Sequence, residues 1–334
     1  MTATRESDTT TARRIWDLLA GPAPVVVSSH VRIDGDGLGA ALALWHALRN
    51  RGVACCAFFD SPIPAAFAFL PGLPQALVGP EQLPRRFQLA AIDCGSLDRT
   101  GRLADYADRA AVVLNIDHHS TNAQFGDVNY VDSAASSSGE MIYRILAAGG
   151  APITREIADN LYTAIITDTG RFSFGNSTAE AFEICGRLVR AGCRPDLLAD
   201  RLYFSPPEPL VRLQTMVMAT LRLAAGGRIA TMEITREMFE RTGTHAMDTQ
   251  GFADLPIGIQ GVCVGALLKE MQEGPGRVKV SLRGRPSVEG VDVCSVAESL
   301  GGGGHRYAAG CELEGDIEQA RRTIVDKLRG SLKP

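Results

Sequence analysis

The sequence predicts an α/β fold in which a parallel sheet is followed by a second, smaller α+β domain. Three observations carry that expectation. Between about residues 22 and 195, short β-branched runs alternate with helical patterns, as βαβ units do. Those runs are apolar almost throughout, as strands covered on both faces are. Finally, residues 193–227 hold Pro206, Pro207 and Pro209, then a helical stretch closed by a glycine pair, which reads as a domain boundary.

The first strands in order are "VVVSS" (25–29), "VACCAFF" (53–59), "QLAAID" (88–93) and "AVVLNID" (111–117). Helices are predicted over 37–50, 136–148, 155–168 and 177–191. In the third, Ile157, Leu161 and Ile165 recur at intervals of four, Asp168 falls on the same face, and Gly170 stops the helix. Past the boundary, "RIATMEI" (228–234), "VCVGALL" (262–268) and "RVKVSLR" (277–283) read as strands. The expected division is a first domain over 12–195, a helical linker over 196–225 and a second domain over 226–334.

Composition bounds the function. The chain has 334 residues, enough for two domains that each bury a core, with 45% hydrophobic and 22% charged residues, an ordinary soluble balance. A net charge of −4 argues against coating long nucleic acid through counterion release, while a short anionic substrate stays compatible. The eight cysteines form no CxxC pair and no zinc-ligand rhythm, so they read as mostly buried free thiols. A polar start, "MTATRESDTTTARR", and the lack of any apolar run of about 18 residues lead to the expectation of a cytoplasmic chain without a membrane segment.

Four clusters carry chemistry: His30/Asp34/Asp36, Asp93 in "AIDCGS", Asp117/His118/His119 in "NIDHHS", and Asp168 in "ITDTGRF". Each sits at the carboxyl end of a predicted strand or at a helix end, and open α/β sheets bind ligands along that edge. Gathered there, so many carboxylates raise one another's pKa unless cations lie between them. Oxygen and nitrogen donors without thiolate suit Mn²⁺ or Mg²⁺, and two ions about 3.5–4 Å apart form the clamp used in phosphoester hydrolysis. Each piece alone has a plainer reading. Asp34-Gly-Asp36-Gly could be a turn capping the helix at 37, "DHH" a cap beside a core histidine, and Asp168 a polar residue near a glycine C-cap. A carboxylate at a helix C-terminus is disfavoured by the dipole, however, and four such coincidences at one sheet edge are less probable than one site.

In this order, "SSHVRIDGDGLGAAL", "AIDCGS", "NIDHHSTNAQFGDVNYVDSAASSSGE" and "LYTAIITDTGRF" resemble the four motifs of the DHH phosphoesterase superfamily over most of residues 25–175. The resemblance implies a binuclear Mn²⁺ centre, with Mg²⁺ or Co²⁺ as substitutes. One ion would take His30, Asp34 and Asp93, and the other Asp36, Asp93, His118 and Asp168, with Asp93 bridging. Asp117 would orient an imidazole, and His119 would face the substrate phosphate. Ile33 stands where relatives often have proline and Ala40 where many have serine; neither is a ligand.

In the second domain, "RVKVSLRGR" alternates, placing Arg277, Lys279, Ser281, Arg283 and Arg285 on one face. A solvated strand face is the plain reading. Four cations in a row still require anionic neighbours. The run "SLGGGGHRYAAG" (299–310) costs much backbone entropy, which makes sense where the backbone approaches a ligand and points N–H groups at phosphate; a flexible loop is the alternative. This segment resembles the glycine-rich motif of the DHH-associated C-terminal domain. The resemblance implies that Arg283, Gly302, Gly303, Gly304 and His305 hold a terminal phosphate, with the metals in a cleft between the domains. Family II pyrophosphatases share the first-domain motifs with a different C-terminal domain, and RecJ-type exonucleases add a nucleic-acid-binding module.

The chain therefore looks like the NrnA type, whose members act as oligoribonucleases and 3′-phosphoadenosine-5′-phosphate phosphatases; some relatives cleave linear or cyclic dinucleotides such as pApA or cyclic di-AMP. The expected activity is metal-assisted phosphoester hydrolysis of such short substrates, by a homodimer if the resemblance extends that far. An inorganic pyrophosphatase and a non-catalytic nucleotide sensor of the same fold are the alternatives. A sensor could lose a carboxylate, whereas every expected ligand is present here.

Overall fold

A computed structural model describes residues 2–249, 251–272 and 276–332. The chain divides between Ser205 and Pro206, inside the stretch read as a linker, so 196–205 belong to the first unit and 206–225 to the second.

The first unit runs α1 (Thr2–Leu19), β1 (Val25–Ser28), α2 (Gly35–Asn50), β2 (Cys55–Ala57), α3 (Leu73–Ala76), β3 (Phe87–Ile92), β4 (Ala110–Asp117), β5 (Val128–Val131), α4 (Ser138–Ala148), α5 (Arg155–Asp168), α6 (Ala179–Arg190) and α7 (Pro195–Ala199). The five strands are parallel in the order β2-β1-β3-β4-β5. The chain moves outward from β1 to β2 and then returns to the other side of β1. The order thus reverses between β1 and β3, which opens a crevice at their carboxyl ends.

Both faces of this sheet are dry, which explains the unbroken apolar runs. Val25 and Val27 of β1 and Ala90 and Ile92 of β3 share a core with Leu38 and Leu42 of α2 and Leu161 and Ile165 of α5. Val26, Phe87, Leu89 and Ala91 point the other way, onto Phe58 and Leu103. Among the elements absent from the sequence reading are α1 and β5. α1 lies in the segment read as a polar tail, yet its Ala12, Ile15, Trp16 and Leu19 recur at helical spacing and are buried. β5 is a four-residue edge strand whose polar, half-buried "VNYV" carries little strand signal.

The close pairing of α2 with α5 decides where the site's loops sit. A Cβ on Gly39 would fall 2.5 Å from the Asn160 carbonyl oxygen, so the helices touch backbone to backbone there.

The second unit runs α8 (Glu208–Ala219), β6 (Arg222–Ala224), β7 (Ile229–Ile234), α9 (Arg236–Thr242), β8 (Val264–Glu270), β9 (Arg277–Gly284), α10 (Val293–Glu298), β10 (Gly303–His305), β11 (Ala308–Glu314) and α11 (Ile317–Ser331). Its sheet is mixed, in the order β10-β11-β9-β8-β7-β6, with only β7 and β8 parallel. Val278, Val280 and Leu282 of β9 share a core with Val296 of α10 and Ile324 of α11. Met232, Ile234 and Leu267 pack on the opposite face with Leu213 and Val217 of α8 and Phe239 of α9.

One expectation is corrected here. β9 ends at Gly284, and Arg285 is not part of its cationic face. Its guanidinium donates to the carbonyls of Val262 at 2.8 Å, Ile257 at 2.6 Å and Ile259 at 3.2 Å, tying down the segment before β8. The eight cysteines are free thiols, five of them buried. Among the described residues no helix is long and apolar enough to cross a membrane.

Gly39→Ala tests the α2–α5 contact. Overpacking costs about 1–3 kcal/mol and alanine recovers up to about 1 kcal/mol in helix propensity, so a net loss is expected. Chemical denaturation showing unchanged or raised stability would contradict the contact.

Candidate metal centre

The crevice is built from the first residues beyond β1, β3 and β4. β1 delivers His30, whose Nδ1 donates to the Val31 carbonyl at 2.8 Å. That bond fixes the tautomer and leaves Nε2 as a lone-pair donor, 3.6 Å from Asp34 Oδ2 and 3.3 Å from Asp93 Oδ2. Asp34 caps α2. Its Oδ1 accepts from the Asp36 and Gly37 amides at 3.1 and 3.0 Å, which turns Oδ2 toward His30. Only glycine fits at 37, because a Cβ there would fall 2.1 Å from Ser29 Oγ. The capping turn and the ligand cluster, alternatives in the sequence, are here the same residues.

Asp93 follows β3 with φ +59, a strained conformation for a non-glycine residue that costs on the order of 1–3 kcal/mol. The strain aims its carboxylate to the middle of the crevice. Oδ2 faces His30, while Oδ1 lies 3.7 Å from His118 Nε2 and accepts from Ser138 Oγ at 3.1 Å. His118 Nε2 is also 3.8 Å from Asp36 Oδ2 and 3.6 Å from Asp168 Oδ2. Asp36 is buried, and its two oxygens accept from the Ser138 and Gly139 amides at 2.7 and 2.9 Å, the first N–H groups of α4. Asp168, the last residue of α5, accepts from Asn176 Nδ2 at 3.1 Å.

Asp117 is fully buried at the end of β4. Its Oδ1 accepts from His119 Nδ1 at 2.7 Å and from the His118 amide at 2.9 Å, and its Oδ2 accepts from Asn122 Nδ2 at 2.5 Å. The imidazole it orients is that of His119. His119 Nδ1 is also 3.6 Å from Asp93 Oδ1, but its proton is held by Asp117.

The electrostatics follow from crowding. Burial, then the charges of Asp93, Asp168 and Asp34, push the Asp36 carboxyl well above its ordinary range, against the Ser138 N–H. Burial and the neighbouring carboxylates Asp93 and Asp34 likewise push Asp168 up to about 7, although His118 pulls it down. Burial disfavours charge on His30, but hydrogen bonds and charge from Asp34 and Asp93 outweigh it and raise the imidazole to about 11. Burial would raise Asp34, yet His30 and the Gly37 amide bring it down to about 2. The hydrogen bond to Asp117 raises His119 to about 9 despite burial. The shifts of Asp36, Asp168 and His30 all carry the mark of crowded carboxylates, a local negative charge that attracts cations.

The donors fit divalent ions. Ligand atoms of His30, Asp34 and Asp93 lie within 4.8 Å of one another, as do those of Asp36, His118 and Asp168, and those of Asp93, His118 and His119. All are oxygen or imidazole nitrogen, the set that Mn²⁺ and Mg²⁺ accept. Ser29 Oγ, buried beside Gly37, has no hydrogen-bond partner among the described residues.

The remaining expected site residues lie in the second unit. β9 pairs Arg283 with Ala308 of β11, and β11 pairs Ala308 with His305 of β10, so Arg283 and His305 stand on one face, two strands apart. Arg283 Nε donates to Asp254 at 2.7 Å, and Arg277 pairs with Glu312 on the same face. The glycine run is no flexible loop. Gly303 and Gly304 belong to edge strand β10, and a Cβ on Gly302 or Gly304 would fall 2.1 Å from the Gly310 carbonyl oxygen or 2.6 Å from that of Ala308. At those two positions the close approach is to the chain's own β11, whereas Gly303 faces open space.

Ser138, Gly139, Asn122, Asn176 and Asp254 were not singled out from sequence. The first two had a signal, since Ser137 is the N-cap of α4 and accepts from the Glu140 amide in the Ser-x-x-Glu pattern of a helix start. The others are brought in by loops with no local signature.

The model of the DHH family N-terminal domain matches residues 24–165, and that of the DHHA1 domain matches 226–333. The bifunctional oligoribonuclease and PAP phosphatase NrnA of Thermus thermophilus is 34% identical over 316 residues, covering 94% of this chain and 92% of that protein. The chain belongs to the DHH family of phosphoester hydrolases. The protein of the same name from Bacillus subtilis is 25% identical over 90% of this chain and 93% of its own length. Among solved structures, an exopolyphosphatase-related protein from Bacteroides fragilis has a TM-score of 0.86 at 25% identity, with 96% of each chain covered.

Asp93→Ala is expected to weaken Mn²⁺ binding by more than about 100-fold, beyond the 10–100-fold that outer hydrogen-bond partners carry. Mn²⁺ titration checks this; wild-type affinity in the variant would refute the central place of Asp93 among the donors.

Proposed function

We propose that this DHH-family chain is a Mn²⁺-dependent phosphoesterase that hydrolyses short oligoribonucleotides and 3′-phosphoadenosine-5′-phosphate, and extends to dinucleotides such as pApA or cyclic di-AMP. One observation carries the reading: a single strained carboxylate, Asp93, stands between two sets of oxygen and imidazole donors. The names of the relatives from Thermus thermophilus and Bacillus subtilis support the substrate class.

His30, Asp34 and Asp93 would hold one ion, and Asp36, Asp93, His118 and Asp168 the other. Bound there, the ions supply Lewis acidity and activate water. The chain's own residues do the rest. Asp117 accepts from His119 Nδ1 and favours the doubly protonated ring, so that Nε2–H would donate to a phosphate oxygen as charge builds in the transition state. The hydrogen bond to Val31 keeps His30 Nε2 available as a donor of electrons. In the second unit, Asp254 steadies the guanidinium of Arg283, and with His305 and the Gly302–Gly304 backbone this group would grip a terminal phosphate.

The name that these relatives carry, oligoribonuclease, supports a preference for short chains. Activity in Mn²⁺ is therefore expected to fall as RNA lengthens from a trimer to a long single strand. Arg283→Ala or His305→Ala should lower kcat/KM on short substrates by about 10–100-fold, the loss of one charge-assisted hydrogen bond, with Mn²⁺ affinity unchanged. Equal cleavage of trimer and long strand, or loss of metal binding in His305→Ala, would contradict the pocket. A parallel assay on inorganic pyrophosphate separates this activity from a pyrophosphatase.

A further inference from the structure

The β5–α4 loop and the first two residues of α4, together residues 132–139, hold several carboxylates of the crevice in place. The Ser138 and Gly139 amides hold both oxygens of Asp36, and Ser138 Oγ donates to Asp93. The Ser136 carbonyl accepts from Asn176 Nδ2 at 2.8 Å, and the same amide nitrogen donates to Asp168. There is little slack, since a Cβ on Gly139 would fall 2.5 Å from Ala164 Cβ of α5.

What sets this loop in place is one guanidinium. Arg144, on α4, donates from Nη1 to Asp132 at 2.7 Å, from Nη2 to Glu140 at 2.5 Å and from Nε to Glu180 of α6 at 3.0 Å. Glu140 is buried, and its second oxygen accepts from the Ser136 amide at 3.1 Å and the Ser136 hydroxyl at 2.6 Å. Asp132, at the other end of the loop, accepts from the Ala134 amide at 3.0 Å, while its own amide donates to the Asp117 carbonyl at 3.1 Å. A planar fork that meets three carboxylates at once fixes direction as well as distance, which a lysine cannot reproduce.

We infer that Arg144 is a positioning residue of the metal centre, acting through the 132–139 loop on the ion held by Asp36, His118 and Asp168 and not on the ion held by His30 and Asp34. The selectivity follows from the contacts. The loop reaches Asp36 and, through Asn176, Asp168, and it touches the shared Asp93 only at Oδ1, the oxygen that faces His118, whereas His30 and Asp34 are oriented by Val31 and the first turn of α2. A clamp that served stability alone would leave the two ions equally affected.

The inference rests on the two-ion reading above, and Mn²⁺ titration of the full chain, with thermal melts alongside, tests both. Wild type should bind two equivalents. Arg144→Met should bind its first equivalent within about threefold of wild type and its second about 10–100-fold more weakly, the range for lost outer partners of a metal site. Arg144→Lys should recover part of that loss. Glu180→Gln removes the most exposed arm of the clamp and should fold, with a smaller loss confined to the second equivalent; it carries the test if Arg144→Met does not fold. Two equivalents at wild-type affinity in the folded variant, or equal weakening of both, overturns the role of Arg144. A wild type that binds one equivalent refutes the two-ion reading instead.

Discussion

Mutual repulsion of buried carboxylates is the constraint around which the first unit is organised. Asp36 and Asp93, both buried, and the partly exposed Asp168 come within reach of one imidazole, His118. Such a cluster raises the proton affinity of its own members, as Asp36 and Asp168 show, unless positive charge is supplied. The fold holds the group together by spending backbone N–H donors on it: the start of α2 for Asp34 and the start of α4 for Asp36. Two helix N-termini thus partly offset the repulsion, and divalent cations would complete the compensation.

That constraint explains features that would otherwise look costly. Asp93 accepts a left-handed backbone because no relaxed residue at the end of β3 would put its carboxylate between His30 and His118. Gly37 lets the start of α2 lie against Ser29, and Gly139 lets the start of α4 lie against Ala164 of α5. Gly39 brings α2 against α5, and α5 ends on Asp168. Helix packing in the core and ligand placement in the crevice are therefore one problem with one solution.

The second unit handles charge differently. Its cations lie along a sheet face and are paired with Asp254 and Glu312, so the strand bears them without a large local potential. The small residues of β10 and β11 bring Arg283 and His305 onto one row of that sheet. A modest positive patch of this kind accords with the chain's overall acidity and with a short anionic ligand.

Sequence by itself determined the parallel architecture and singled out the residues proposed as metal ligands. Both are written in local chemistry: apolar runs bounded by turns, and acidic or imidazole residues at the point where a strand ends. It also determined the alternation of β9 as far as Gly284. Only the tertiary structure decided which partners hold those ligands. Ser138 reaches Asp93 from 45 residues away, and Asn122, Asn176 and Arg144 turn back onto Asp117, Asp168 and Asp132 through loops that no spacing rule encodes. The structure also decided that Arg285 caps carbonyls and leaves the β9 face, and that the glycine run is an edge strand. β5, β6 and β10 escaped the sequence reading because short or glycine-rich edge strands take their definition from the neighbour they pair with. The physical reason is general: a side chain's type and its place on a strand are local properties, whereas the partner it meets depends on how the whole chain packs.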